Sequence, residues 1–333
     1  MPTMGDVANA KSERTRSLVD ALITWLFNIW ESQSDFSDAG VAAVVDETVS
    51  AVEAALTRAR QEEDAYQQVV LRALGKDLPS DLPPANMELY PRQDKIPEDV
   101  WSRPARVYQR ARRDGKSPAE AKLQALKRVS RLAEDDIKLA QRERASRILG
   151  GAEPQGVLGY RRIIHPELSR TGTCGLCIVA ADRIYNVKEL YPLHDNCKCE
   201  VLPITSEHDP GLHLNRQDLD EIYRIAGGTS ASKLSNTRLA DFVSKEKGPR
   251  IAHWSDESSD GIAQRDRQYR AAPEDAQRYS EVSDAERMVR RARRSQSDLR
   301  RRGTKQSRKR ESVLESVIKY WEQQATSSEE RAA

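Results

Sequence analysis

No stretch of this chain is apolar for long enough to cross a membrane. The longest such run, around Leu18 to Trp30, is interrupted by Asp20 and Asn28. It falls short of the roughly 20 residues a span requires, so the sequence predicts a soluble protein. The opening segment MPTMGDVANAKSERTR also lacks the apolar core of a secretory signal. A reducing cytosol is the expected site of synthesis, and disulfides are rare there. Hydrophobic residues are sparse too, at 38% against 32% charged in 333 residues. Such a chain is expected to hold two or three domains with a modest core and solvated extensions, because part of it cannot offset ordering entropy by burial. Neither a G-x-S-x-G elbow nor an H-E-x-x-H helix is present.

Cysteine is rare as well, but its placement is informative. All four cysteines fall in TCGLCIVAADRIYNVKELYPLHDNCKCEVLPI, at Cys174, Cys177, Cys197 and Cys199, with His194 just ahead of the second pair. Thiolates bind Zn²⁺ tetrahedrally. One close pair supplies two ligands from a turn, and a second pair about twenty residues on closes the shell. Cys197 and Cys199 are one residue apart, which on a strand places both on one face. The spacing favours a Cys₄ site with structural Zn²⁺, and His194 is either an alternative ligand or a neighbour bonded to one. Two disulfides conflict with the reducing compartment. A catalytic Cys-His pair needs a base but not three further cysteines.

Periodicity sets the rest of the chain. Leu18, Leu22, Trp25, Leu26 and Ile29 form one helical stripe. A second helix, capped by Asp38, follows through Val41, Val45, Thr48, Val52, Leu56 and Ala59, continues to Val69, Val70 and Leu74, and stops at Gly75. Its acidic residues Glu53, Glu62, Glu63 and Asp64 read as a solvated face. Pro79, Pro83, Pro84, Pro91 and Pro97 make the next segment an extended connector. Helix resumes from Trp101 to Arg113. Ser117, Pro118 and Glu120 then spell a new helix start, with a buried stripe of Leu126, Val129, Ala133, Ile137 and Ala140 and a stop at Gly150 and Gly151.

Beyond this the pattern turns to β. Strands are expected from Val157 to Ile164, from Ile178 to Tyr185 and from Cys199 to Ile204. So short a module has little core of its own, and metal binding would supply its folding energy. Leu219, Ile222, Tyr223 and Ile225 mark a short helix closed by Gly227 and Gly228, and residues 255–283 are too polar and aperiodic to assign. The segmentation is therefore 1–97, a helical hairpin with a Pro-rich connector; 98–150, helical; 151–205, the Cys-rich module; 206–255, a small α/β extension; and 256–333, a polar and basic tail. The fold class is α+β, mainly α-helical: long N-terminal helices, a small zinc-stapled β module and a partly disordered basic tail ending in an amphipathic helix over Val313, Leu314, Val317, Ile318 and Trp321.

The formal net charge of +2 hides a strong asymmetry. From Arg287 to Arg310 twelve Lys or Arg stand against the single acid Asp298. Such a run repels itself unless it meets a polyanion. The candidate phosphate contacts are Arg290, Arg291, Arg293, Arg294, Arg300, Arg301, Arg302, Lys305, Arg308, Lys309 and Arg310. Contact would be independent of sequence and sensitive to salt. A solubilising or protein-docking tail is the competing reading, because the run lacks the interleaved aromatics of single-strand binders.

The string from IIHPELSRTGTCGLCIVAADRIY to LYPLHDNCKCEVLPI resembles the head-morphogenesis domain of tailed-phage minor capsid proteins of the Mu F-like kind, including versions from phages of actinobacteria. The family's His-x-x-Cys-x-Cys pattern reads here as His194, Cys197 and Cys199, with Cys174 and Cys177 as the upstream pair. The resemblance covers about residues 100–205, and the N-terminal helices loosely. It implies a minor virion component in the phage head, present in the host cytoplasm during assembly. Its implied partners are portal, scaffold or major capsid protein, and double-stranded genome DNA. Two alternatives accompany it. One is a capsid maturation protease, as relatives in such phages are often described, drawing on plentiful serines and on His165, His194, His208, His213 and His253. The other is a zinc-containing DNA-binding factor.

Overall fold

The apolar stripe between Leu18 and Ile29 belongs to a longer helix. In the computed structural model, which describes residues 4–92, 95–164, 173–185, 199–209, 216–239, 284–303 and 305–332, α1 spans Met4–Ser32 and α2 spans Asp38–Ala73. The buried stripe of α1 runs Val19, Leu22, Leu26 and Trp30, whereas Trp25 is 41% exposed. The helix thus faces its core about one residue away from the expected stripe. In α2, Val45, Thr48, Val49, Val52, Leu56 and Ala59 are buried as the period requires. Its N-terminus is held by Ser37, whose Oγ accepts from Gly40 N at 3.3 Å, and not by Asp38. Gly75 ends it at φ 69°, and Lys76 N returns to Leu71 O at 2.9 Å, a left-handed cap that favours glycine.

Two short helices, α3 (Pro97–Trp101) and α4 (Arg103–Arg113), precede the long α5 (Pro118–Gly151). The start of α5 is the expected capping box: Ser117 N donates to Glu120 Oε2 at 2.8 Å, and Glu120 N donates to Ser117 Oγ at 3.2 Å. The helix continues through Gly150 and Gly151 instead of stopping before them. Then come β1 (Gly159–Ile163), β2 (Thr173–Cys174), α6 (Gly175–Ala181), β3 (Glu200–Ile204), α7 (Arg216–Ala226), α8 (Ala231–Asn236), β4 (Arg238–Leu239), α9 (Asp284–Arg302) and α10 (Lys305–Ala332).

Two units divide these elements. The first comprises Met1–Ser17, Ala59–Leu82 and Gln141–Arg270. Here β1 pairs antiparallel with β3, setting Arg162 opposite Val201 and Ile163 opposite Glu200. Alternation puts Tyr160, Arg162 and Val201 on one face and Arg161, Ile163 and Leu202 on the other. Tyr160 and Val201 join a core with Leu71, Ala145, Ile148, Leu149, Ala152 and Val157. Ile163 and Leu202 pack with Ala8, Tyr66 and Val70. The β segment is therefore no small module short of core, because helical segments cover both of its faces. A smaller sheet pairs β2 with β4.

The second unit comprises Leu18–Arg58, Pro83–Ala140 and Ala271–Ala333. Its basic segment is a helical hairpin over the described residues, α9 and α10 meeting at Gly303, where φ is 65°. Ala285, Met288, Ala292, Val317, Ile318 and Trp321 pack together with Leu89 of the connector. The indole of Trp321 donates to Met87 O at 2.9 Å. Asp136, fully buried in α5, accepts from Arg92 Nε at 2.6 Å, from Trp101 Nε1 at 3.1 Å and from the Tyr90 hydroxyl.

Candidate functional site

The first cysteine pair lies at a helix start and not between strands. The run Ile178 to Tyr185, expected to be a strand, is replaced up to Ala181 by α6. A short apolar run with β-branched residues does not by itself distinguish a strand from a buried helix. Here Ile178, Val179 and Ala181 are buried against Ile222 and Leu234, of α7 and α8, and that packing decides for the helix. Cys174 is the residue before α6, in extended conformation, and Cys177 is in its first turn. Gly175 between them approaches α8 closely: a Cβ there would lie 3.3 Å from Leu234 O. Cys199 immediately precedes β3.

Cys174, Cys177 and Cys199 are buried, pack together with Ile164 and Leu176 beside them, and form no disulfide. Cys197 and His194 lie outside the described residues. Among the described residues no group of three or more His, Cys, Asp or Glu is arranged to hold a metal ion. Three thiols brought together from two separate segments are nonetheless the donor chemistry a structural zinc site uses.

The surroundings of Cys199 are strongly cationic. Arg142, from α5, donates to the Cys199 carbonyl and reaches its Sγ at 3.1 Å. Arg162, from β1 and on the sheet face to which alternation assigns Cys199, reaches the same sulfur at 3.5 Å. Its guanidinium carbon lies 4.9 Å from the Tyr185 ring centre and 5.7 Å from that of Tyr160, and the two rings stack at 5.1 Å. Burial works against the Arg162 charge, but the sulfur of Cys199 favours it, and the net effect raises its pKa. Next along β3, Glu200 receives Lys11, which also pairs with Glu63 at 2.6 Å, all three being buried. The acidic stretch of α2 is thus not a uniformly solvated face. Glu63 is fully buried and Asp64 binds Arg144 Nη2 at 2.9 Å. On the same sheet face as Glu200, away from Arg162, buried Arg161 holds Asp209 by two bonds of 2.7 and 2.6 Å.

The basic hairpin sorts its residues by face. In α9 the buried positions are Ala285, Met288, Ala292 and Leu299, while Arg290, Arg293, Arg294, Arg300 and Arg301 are exposed on the other side. Arg308 and Lys309 of α10 are exposed as well. Several of these arginines have acidic partners within the unit: Arg293 with Glu322 at 2.5 Å, Arg300 with Glu311, and Arg301 with Asp298. Arg291 donates to Tyr90 O at 2.8 Å, and Arg302 pairs with Asp99. Arg310 is different. It is largely buried and held by Glu53, at 3.0 Å from its Nε, and by Glu98, which is 1% exposed. Lys305 lies at the first position of α10.

Arg142, Arg162 and Lys11 carry no motif and went unread in the sequence. The one available signal was alternation along β1 and β3, which assigns Arg162 and Cys199 to the same face once the register is known. Of the five histidines only His208 is among the described residues, half-buried in the turn after β3. No helix among the described residues is long and apolar enough to cross a membrane. No family model matches the chain, and no curated protein or solved structure matches it either.

Proposed function

We propose that this chain is a minor capsid component of the head-morphogenesis type, acting in the assembly, packaging or ejection steps of a tailed-phage head, with a structural zinc centre at its cysteines. The observation that carries this reading is the burial of Cys174, Cys177 and Cys199 in one cluster, the residues through which the chain resembles that family. Buried thiols suit a structural metal, whereas a nucleophilic cysteine must meet its substrate. The residues at hand that would hold the ion are these three, with the fourth ligand expected from Cys197 or His194. Bound zinc would supply a tetrahedral cross-link between the start of α6 and β3, adding folding free energy and no reaction.

The partners in this reading are the portal, the major capsid or scaffold protein, and the packaged duplex, met by the exposed side of α9 together with Arg308 and Lys309. Its location is the virion. The test is to incubate the purified chain with the portal and the major capsid protein encoded beside it. Stable association with no cleavage of either protein is expected, together with a copy number in virions far below that of the shell protein. Time-dependent cleavage abolished by replacing one Ser or His would instead establish the maturation-protease reading.

A further inference from the structure

Trp25 of α1 keeps 41% of its surface exposed, beside an open groove of about 560 Å³ that it lines together with Ala43, Asp46, Glu47, Ser50 and Ala51 of α2. The surrounding sequence carries one sign of charge. From Leu18 to Thr57 it holds seven Asp or Glu and no Lys, Arg or His. An exposed indole beside carboxylates suits a guanidinium, which can stack on the ring face and pair with the acid. The chain carries such groups itself. Arg290, Arg293, Arg294, Arg300 and Arg301 are exposed on α9, and at about 100° per residue they fall within an arc of about 120°. The same basic run already pairs with acidic helices of its own unit, Arg310 with Glu53 of α2 and Glu98 of α3, and Arg302 with Asp99.

We propose that the Trp25 groove is an interaction surface for a second copy of this chain and receives that copy's α9 arginines head to tail. A net charge of only +2 gives little repulsion between copies, while the acid-only span and the basic run attract each other. Groove and helix are different patches, so the joint is heterologous and passes from copy to copy. On α9 the exposed arginines now pair with Glu322, Glu311 and Asp298. Such surface pairs are weak enough to be exchanged for Glu47 of another copy. Duplex DNA, proposed above for the same arginines, would compete with the joint, but the inference stands on the groove and needs neither the DNA nor the zinc.

The test is sedimentation velocity on the full chain, nuclease-treated so that no nucleic acid bridges two copies. Concentration-dependent association is expected at low salt, with its loss near 1 M salt, where the screening length is about 3 Å. Glu47→Arg and Arg290→Glu are each expected to weaken association by about 10-fold or more, because each sets like charges face to face. Trp25→Ala should weaken it as well. Mixing the Glu47→Arg chain with the Arg290→Glu chain should restore association, since each offers the surface that complements the other, and a loss caused by misfolding would not recover in this way. A parent chain that stays monomeric at about 100 μM, where a joint of micromolar affinity would be filled, would overturn the inference. So would association indifferent to both reversals, or a mixture that stays apart. A basic segment of another protein cross-linked in the groove of a monomeric chain would make that protein the occupant instead.

Discussion

Lys11 is a buried ammonium held between two carboxylates, Glu63 at 2.6 Å and Glu200, with almost no exposed side-chain surface on any of the three. Burial by itself lowers the Lys11 pKa, but Glu200 and Glu63 outweigh it and the net shift is upward. Its contribution to stability is therefore complete below the ordinary lysine pKa and is lost only as pH rises through the raised value. Removing it leaves two buried carboxylates facing each other. Lys11→Ala is expected to cost about 3–5 kcal/mol in urea unfolding at neutral pH, and a loss under about 1 kcal/mol would show that the triad is solvated. Periodicity could not reveal this. Glu63 sits in a run of charge that matches a solvated helix face, and its partners are an N-terminal lysine and a strand far along the chain. Asp136 is a similar case, its donors Tyr90, Arg92 and Trp101 being gathered from the connector and α3.

At the scale of elements, what repeats locally was legible and what depends on distant packing was not. The stripe of α5, that of α2 apart from Val69, which is exposed, the Ser117–Glu120 box and the Gly75 stop were readable, because each depends on residues within a turn or two. α6 was not, since Ile178 and Val179 fit a strand as well as a buried helix until α7 and α8 cover them. The basic run was legible as charge but not as structure. Self-repulsion pointed to a partly disordered tail, whereas acidic partners accompany the run, Glu311 and Glu322 within the hairpin and Glu53, Glu98 and Asp99 from α2 and α3. The exposed pairs contribute little and can exchange carboxylate for phosphate cheaply; the buried Arg310–Glu98 pair cannot. If six exposed basic residues meet duplex phosphates, the logarithm of the binding constant should fall against log salt with slope near −5, about −0.9 per phosphate. Arg290→Ala and Arg301→Ala should each reduce that slope by about one. Arg310→Ala should leave the slope unchanged but destabilise the fold by about 3–5 kcal/mol, through the unpaired Glu98. Loss of slope in Arg310→Ala without loss of stability would reverse these assignments.

Over the whole molecule, contacts gather segments that are distant in sequence. The first unit joins the chain's start to Ala59–Leu82 and to everything from Gln141 to Arg270, and the second interleaves with it along the sequence. Linear composition does not register such interleaving, which is why the Cys-rich segment reads as a self-contained module while β1 and β3 are in fact packed among helical segments. If the thiols hold zinc as proposed, its removal should therefore loosen their surroundings without unfolding β1 and β3. Deleting everything after Ser283 likewise strips Met288, Val317 and Trp321 from Met87 and Leu89, so point variants test the proposed DNA contact more cleanly than truncation. The claim on which the functional reading depends is the metal. Elemental analysis of the full chain, purified without chelator, is expected to find about one zinc per chain, as a closed four-ligand site requires; less than about a third of an equivalent would contradict it.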